Sequence, residues 1–203
     1  MMIHRLNGLQ DYLSTWKTMQ TFTQNRTKDT PDEIWLLQHK EVYTQGQAGR
    51  DEHMLQSSTI PIVHTDRGGQ ITYHGPGQLI VYVMLDLHRR KIGIRSLVRQ
   101  LEICIIELLQ YYGIESTHKI EAPGVYVQQQ KIASIGLRVK RGCTYHGIAL
   151  NVNMDLAPFS LINPCGFQGL EMTQIAAYIP TITIQEVELE LIAILRRQFC
   201  AIN

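Results

Sequence analysis

Apolar residues recur at three- and four-residue steps in three stretches of the chain, the spacing of one helix face. In residues 8–26 these positions are Leu9, Tyr12, Leu13, Trp16, Met19 and Phe22, which predicts an amphipathic helix. A second stretch sets Leu97, Leu101, Cys104, Ile105 and Leu108 on one face behind Ser96, a residue able to N-cap, and stops at Gly113. The third, "TITIQEVELELIAILRRQF", opens with Thr183 and Glu186 at capping-box spacing. Between them, 33–38, 60–65, 78–86, 124–128, 131–139 and 144–153 are apolar or alternating runs of strand length. "LIVYVMLDL" (79–87) has almost no polar position, as a strand covered on both faces requires, and "RG" at 141–142 reads as a tight turn. Helices at both ends with strands between predict an α/β sandwich built on a mixed sheet.

The 203 residues, 44% of them hydrophobic, suit one domain over 1–203. A net charge of +1 gives no overall field to hold nucleic acid or an anionic membrane. No apolar run approaches the ~20 residues that span a bilayer. The opening "MMIHRLNGLQDYLSTW" is too polar for a signal-peptide core, so a cytoplasmic location is expected. Cys104, Cys143, Cys165 and Cys200 are far apart, with no CxxC pair and no zinc-finger spacing; free thiols and no metal site are expected.

The segment "RGGQITYHGPGQ" (67–78) places Gly68, Gly69, Gly75, Pro76 and Gly77 between two predicted strands. Glycine backbone can approach a ligand closely. The spacing fits neither GxxxxGK[ST] nor GxGxxG, which excludes the usual phosphate cradles. A pair of linked turns, with Arg67 solvated and His74 in the core, is the plain alternative. The density of donors and acceptors on Arg67, Thr72, Tyr73, His74 and Gln78 favours a pocket wall.

Among the cysteines, Cys104 falls on an apolar helix face and reads as core. Cys200 lies near the end of the sequence, and Cys143 follows Arg141 and Gly142 in a turn where solvent would surround it. Cys165, in "INPCGFQG", stands between Pro164 and Gly166; the freed peptide N–H after it could point at an oxyanion above the sulfur. A buried cysteine in a Pro-Gly turn is the structural alternative. A catalytic thiol needs a base or a cation beside it, and His74, His146 and Lys131 are candidates that spacing alone does not separate.

Four segments in order, "RGGQITYHGPGQL" (67–79), "APGVYV" (122–127), "KIASIGLRVKRGCTYHGIALNVNMDL" (131–156) and "INPCG" (162–166), resemble the lipoyl(octanoyl) transferases. "WLLQHKEVYTQGQAG" (35–49) looks like the same family's upstream segment, so the likeness is concentrated in residues 30–175. The resemblance implies the biotin and lipoate protein ligase fold, a mixed sheet flanked by helices. It implies Cys165 as a nucleophile that carries the acyl group and Lys131 as the amine that lowers its pKa. Substrate-binding segments carry over to Arg67, Gly68, Gly69, Gln70, Ile71, Thr72, Tyr73 and His74, to Ser134, Ile135 and Gly136, and to His146, Gly147, Ile148 and Ala149. Val83 stands where many members have proline, and "QQQ" (128–130) replaces a tighter glycine-containing turn just before Lys131.

The reaction implied is transfer of octanoyl from octanoyl-acyl carrier protein to a lysine on lipoyl domains, those of 2-oxoacid dehydrogenase E2 subunits and of the glycine cleavage H protein. No cofactor is called for, since thioester to thioester to amide runs downhill. Val81, Val83 and Ile135 are candidates to line the acyl slot, and "HRRK" (88–91) or "RVKR" (138–141) to dock an acidic carrier. An ATP-dependent lipoate or biotin protein ligase, a non-catalytic lipoyl-domain-binding module and a cysteine hydrolase are the competing readings.

Overall fold

The computed structural model describes residues 1–200. In chain order its elements are β1 (Met2–Gln10), α1 (Tyr12–Gln24), β2 (Glu33–His39), β3 (Val42–Gln45), β4 (Ile62–His64), β5 (Ile71–His74), β6 (Gln78–Met84), α2 (Leu87–Arg90), α3 (Ile94–Tyr111), β7 (Thr117–His118), β8 (Gly124–Val127), β9 (Gln130–Lys140), β10 (Cys143–Asn151) and α4 (Ile184–Cys200). Seven strands form one sheet in the order β1-β2-β6-β10-β9-β8-β7, and a smaller sheet runs β4-β3-β5. The β1–β2 pair is parallel and the other pairs of the large sheet are antiparallel, so the sheet is mixed. Among the described residues no helix is long and apolar enough to cross a membrane.

Every residue of β6 is buried, because its two faces meet different layers. Leu79, Val81 and Val83 join the core under α3 and α4. Ile80, Tyr82 and Met84 turn to the other face, toward Met19 of α1 and the pocket described below. The sequence expectation that Val81 and Val83 line an acyl slot is therefore off by one position: strand alternation hands that face to Ile80 and Tyr82.

The helices begin where local chemistry caps them. Asp11 accepts the Ser14 N–H at 2.9 Å and starts α1, so the predicted helix loses its first turn to β1, and Leu9 is left half-exposed on that strand. The α3 helix starts two residues before Ser96, from Gly93, and Ser96 instead accepts from Gln100 Nε2. Thr183 and Glu186 close the expected capping box at α4, the Thr183 N–H donating to Glu186 at 2.9 Å and the Glu186 N–H to Thr183 at 3.3 Å. Arg141 and Gly142 both have positive φ, 51° and 76°, and join β9 to β10 as a two-residue hairpin.

Candidate active site

Lys131 sits near the start of β9, opposite Tyr126 of β8. The "QQQ" turn reaches it with Gln128 at φ 54°, a conformation glycine adopts more easily, yet Val127 and Gln130 still pair across it. The Lys131 backbone is then held from the other side, its N–H donating to the Glu171 carbonyl at 2.9 Å and its carbonyl accepting from Thr173 at 3.0 Å. The side chain is 1% exposed, far from the solvated strand end that a lysine usually marks. Gly124 makes the room: a Cβ there would stand 2.4 Å from Lys131 Cε.

What Lys131 meets is Cys165. Its Nζ lies 3.3 Å from Cys165 Sγ and 5.4 Å from the centre of the Tyr126 ring. Cys165 is held at φ 58°, ψ 14°, left-handed backbone for a residue with a Cβ, in a turn pinned by Asn163 N–H to the His53 carbonyl at 2.8 Å. The Gly166 N–H, expected to face an oxyanion, instead donates to the Asn163 carbonyl at 2.9 Å. It closes the turn and is not free for a ligand.

The other cysteines are elsewhere. Cys104 is core, its thiol pushed up to about 12 by burial. Cys143 was expected in solvent, but it begins β10 and is 9% exposed, and burial raises its pKa as well. Cys200 is exposed at the end of α4.

A cleft opens beside the sulfur. Cys165 lines it together with the wall from Arg67 to Gln70, Thr72 and His74, and a floor of Ser134–Gly136 from β9 and Gly147–Ala149 from β10. His146 lines it as well. Ile71 and Tyr73 do not: on β5 they alternate away, into an apolar cluster with Tyr43, Phe159 and Ile162. Tyr12, Ile80 and Tyr82 complete the lining and had no signal in the sequence beyond being apolar or aromatic.

Arg67 is buried, not solvated. Its guanidinium donates to the Thr44 hydroxyl and carbonyl and to the carbonyls of Gly68 (2.9 Å) and Gln70 (2.8 Å), tying the glycine-rich segment to β3. Thr44 lies 3.2 Å from His74 Nε2, and His74 Nδ1–H donates to Gln78 at 2.7 Å. Burial pushes His74 down to about 3, so this imidazole stays neutral.

His146 has φ 62° and stacks on Tyr145 with ring centroids 5.0 Å apart. Its Nε2–H donates to Asp66 at 3.0 Å, which leaves Nδ1 as the bare nitrogen, buried without a partner. Burial lowers the His146 pKa, with Asp66 pulling the other way. Asp66 also accepts from Tyr145, from Trp16 Nε1 at 2.9 Å and from Gln20 at 3.3 Å; although burial opposes its charge, His146 and Tyr145 hold its carboxyl below the usual range. His146 pairs with Leu137, six residues along β9 from Lys131.

The lipoyl protein ligase A/B catalytic domain model matches residues 11–196. An octanoyltransferase of Legionella pneumophila (strain Corby) is 55% identical over 98% of this chain and 100% of its own length. The chain belongs to the octanoyltransferase family. The fold of this octanoyltransferase family member extends to more distant proteins. A bipartite lipoate protein ligase from Thermoplasma acidophilum superposes with a TM-score of 0.79 at 15% identity, covering 98% of this chain and 83% of that one. A biotin protein ligase from Aquifex aeolicus gives 0.57 at 13% identity, covering 98% and 68%. These two likenesses concern the fold, the mixed sheet with flanking helices expected from the sequence.

Proposed function

We propose that the chain transfers an octanoyl group from octanoyl-acyl carrier protein, by way of a thioester on Cys165, to the ε-amine of a lysine on lipoyl domains, including those of 2-oxoacid dehydrogenase E2 subunits and the glycine cleavage H protein. The observation that carries this reading is the 3.3 Å contact between Lys131 Nζ and Cys165 Sγ beside the cleft. An ammonium at that distance stabilises a thiolate, the form in which a cysteine attacks.

In the first half, Cys165 Sγ adds to the thioester carbonyl, the bond to the carrier's sulfur breaks, and that sulfur takes a proton from the Lys131 ammonium. In the second, the acceptor amine adds to the acyl-cysteine, the C–S bond breaks, and the amine's proton passes to the now neutral Lys131. Each half restores what the other removed, so neither needs a nucleotide.

Ile80 and Tyr82 of β6, Ile135 of β9 and Ile148 of β10 give the cleft an apolar lining suited to an acyl chain. For the carrier, the two basic runs differ. Arg89 and Arg90 of "HRRK" each bond Asp32 at 2.6 Å, so both guanidinium groups are already engaged within the fold, whereas Lys140 and Arg141 are exposed at the β9–β10 turn. We assign docking to 138–141: reversing the charges of Arg138, Lys140 and Arg141 is expected to raise KM for the carrier, and an unchanged KM excludes it.

The experiment for the whole reading is intact-mass analysis after mixing with octanoyl-acyl carrier protein. One hydroxylamine-labile octanoyl group is expected on the native protein, none on Cys165→Ala, and addition of a lipoyl domain should discharge it. Transfer by Cys165→Ala from free octanoate and ATP would instead make the protein a ligase. Release of octanoate to water would make it a hydrolase, and binding of acyl-lysine with no adduct a recognition module.

A further inference from the structure

Resting on the acyl-enzyme reading above, we propose that the side-chain amide of Gln70 is a catalytic hydrogen-bond donor, stabilising the oxyanion that forms on the thioester carbonyl at Cys165. A tetrahedral oxyanion held in a cleft needs a donor already in place. The N–H that the local sequence would nominate, that of Gly166, is closed onto Asn163 at 2.9 Å. Another donor must serve, and Gln70 is beside it.

Two observations place it. Gln70 and Cys165 line the same cleft. Gly166, the residue after the nucleophile, has φ 79°, and a Cβ there would stand 2.9 Å from Gln70 Cδ and Nε2, so the amide nitrogen lies directly against the nucleophile's turn.

The surroundings here are well bonded. Arg67 Nη2 donates to the Gln70 carbonyl at 2.8 Å and Nη1 to the Gly68 carbonyl at 2.9 Å, while the Gly68 N–H donates to Leu137 at 3.0 Å. These bonds fix the backbone that carries the Gln70 amide. When Cys165 Sγ adds to the carbonyl, the C=O electron pair moves to oxygen and Gln70 Nε2–H donates to it. When the carbonyl re-forms and the C–S bond to the carrier breaks, the donor is released unchanged, and the same bond serves the amine's attack.

The test separates donation from thiolate chemistry and from packing. In Gln70→Ala, the rate of acyl-enzyme formation from octanoyl-acyl carrier protein is expected to fall about 10²- to 10³-fold. Alkylation of Cys165 by iodoacetamide, which attacks a tetrahedral carbon and forms no oxyanion, should stay within about twofold of native. Gln70→Glu keeps the volume but offers only acceptors near neutrality and is expected to be at least as slow as Gln70→Ala. Acylation by Gln70→Ala within threefold of native, alkylation falling in parallel with acylation, or restored acylation in Gln70→Glu would each overturn the proposal. Failure of the native protein to form any adduct would refute the acyl-enzyme reading itself.

Discussion

Two pairs of ionisable side chains each set one member on the cleft, Cys165 backed by Lys131 and His146 backed by Asp66, and their surroundings are built to opposite effect. The Asp66 carboxylate is saturated, accepting from His146, Tyr145, Trp16 and Gln20. Tyr145, Trp16 and Tyr82 pack their rings around the imidazole at centroid distances of 5.0, 6.4 and 6.1 Å. Among the described residues the Lys131 ammonium has the sulfur at 3.3 Å and the face of Tyr126, and the sulfur rides on a left-handed residue that is not fully buried. A saturated network rigidifies, while a sparsely bonded pair keeps capacity for a new partner. At the Asp66 pair both groups titrate away from their ordinary ranges, through burial and fixed hydrogen bonds. Perturbation thus marks desolvation as readily as chemistry, and the bonding around each pair has to decide.

The largest expected effect comes from the sparse pair. Lys131→Met keeps the length and apolar stem but removes the charge and the proton, and should slow acyl-enzyme formation about 10²- to 10⁴-fold in a rapid-quench assay. A loss below tenfold would break the contrast between the two pairs. Gly124→Ala acts on the same amine without touching it. The added Cβ would fall 2.4 Å from Lys131 Cε and 2.5 Å from the Ala133 carbonyl, and Gly124 has φ 138°. Displacement of the ammonium by about 1 Å is expected to cost about 10²-fold in the same assay, with the far-ultraviolet circular dichroism unchanged.

How much of this was legible in the sequence differs between the pairs as well. Local pattern revealed the α3 face, the α4 capping box and β6, because periodicity and caps are short-range signals. It concealed β1, whose residues 2–10 carry a helix-like spacing at Leu9 and become a strand only by pairing with β2, a long-range event. Cys165 and Lys131 were nominated by their motifs, but 34 residues separate them and only the sheet brings them together. Asp66 drew no attention: it stands just outside the glycine-rich segment, and its partners come from α1 and β10. The Gly166 N–H was misjudged because a turn's own closing bond, to Asn163, is invisible without its dihedral angles.

A smaller effect is expected from His146. Its φ of 62° suits asparagine better than most residues, so His146→Asn can keep the backbone while withdrawing the ring from the cleft. If this pair only shapes the acyl site, KM for the octanoyl donor should rise about tenfold, equivalent to ~1.4 kcal/mol, with the single-turnover acylation rate at saturation within threefold of native. A fall in that rate matching Lys131→Met would mean the imidazole takes part in the chemistry.

The smallest effect should come from Asp66 as a stabilising charge, read through pH. Its folded-state pKa lies below the unfolded value of about 3.9. The stability it adds is therefore fully present above the unfolded pKa and is lost as pH falls through the folded one. His146 has a depressed pKa too, so below its ordinary range the unfolded chain binds its proton first and the native state weakens further. Asp66→Asn retains a hydrogen-bonding group of similar size but no charge, and without the carboxylate the His146 pKa falls further. The melting-temperature difference between native protein and Asp66→Asn should thus be level from pH 8 to 7, widen as pH falls through the ordinary histidine range, and narrow below about pH 4. A difference that persists unchanged down to pH 2.5 would show that the carboxylate's bonds, not its charge, hold this part of the cleft, and would place Asp66 with Tyr145 and Trp16 as packing alone.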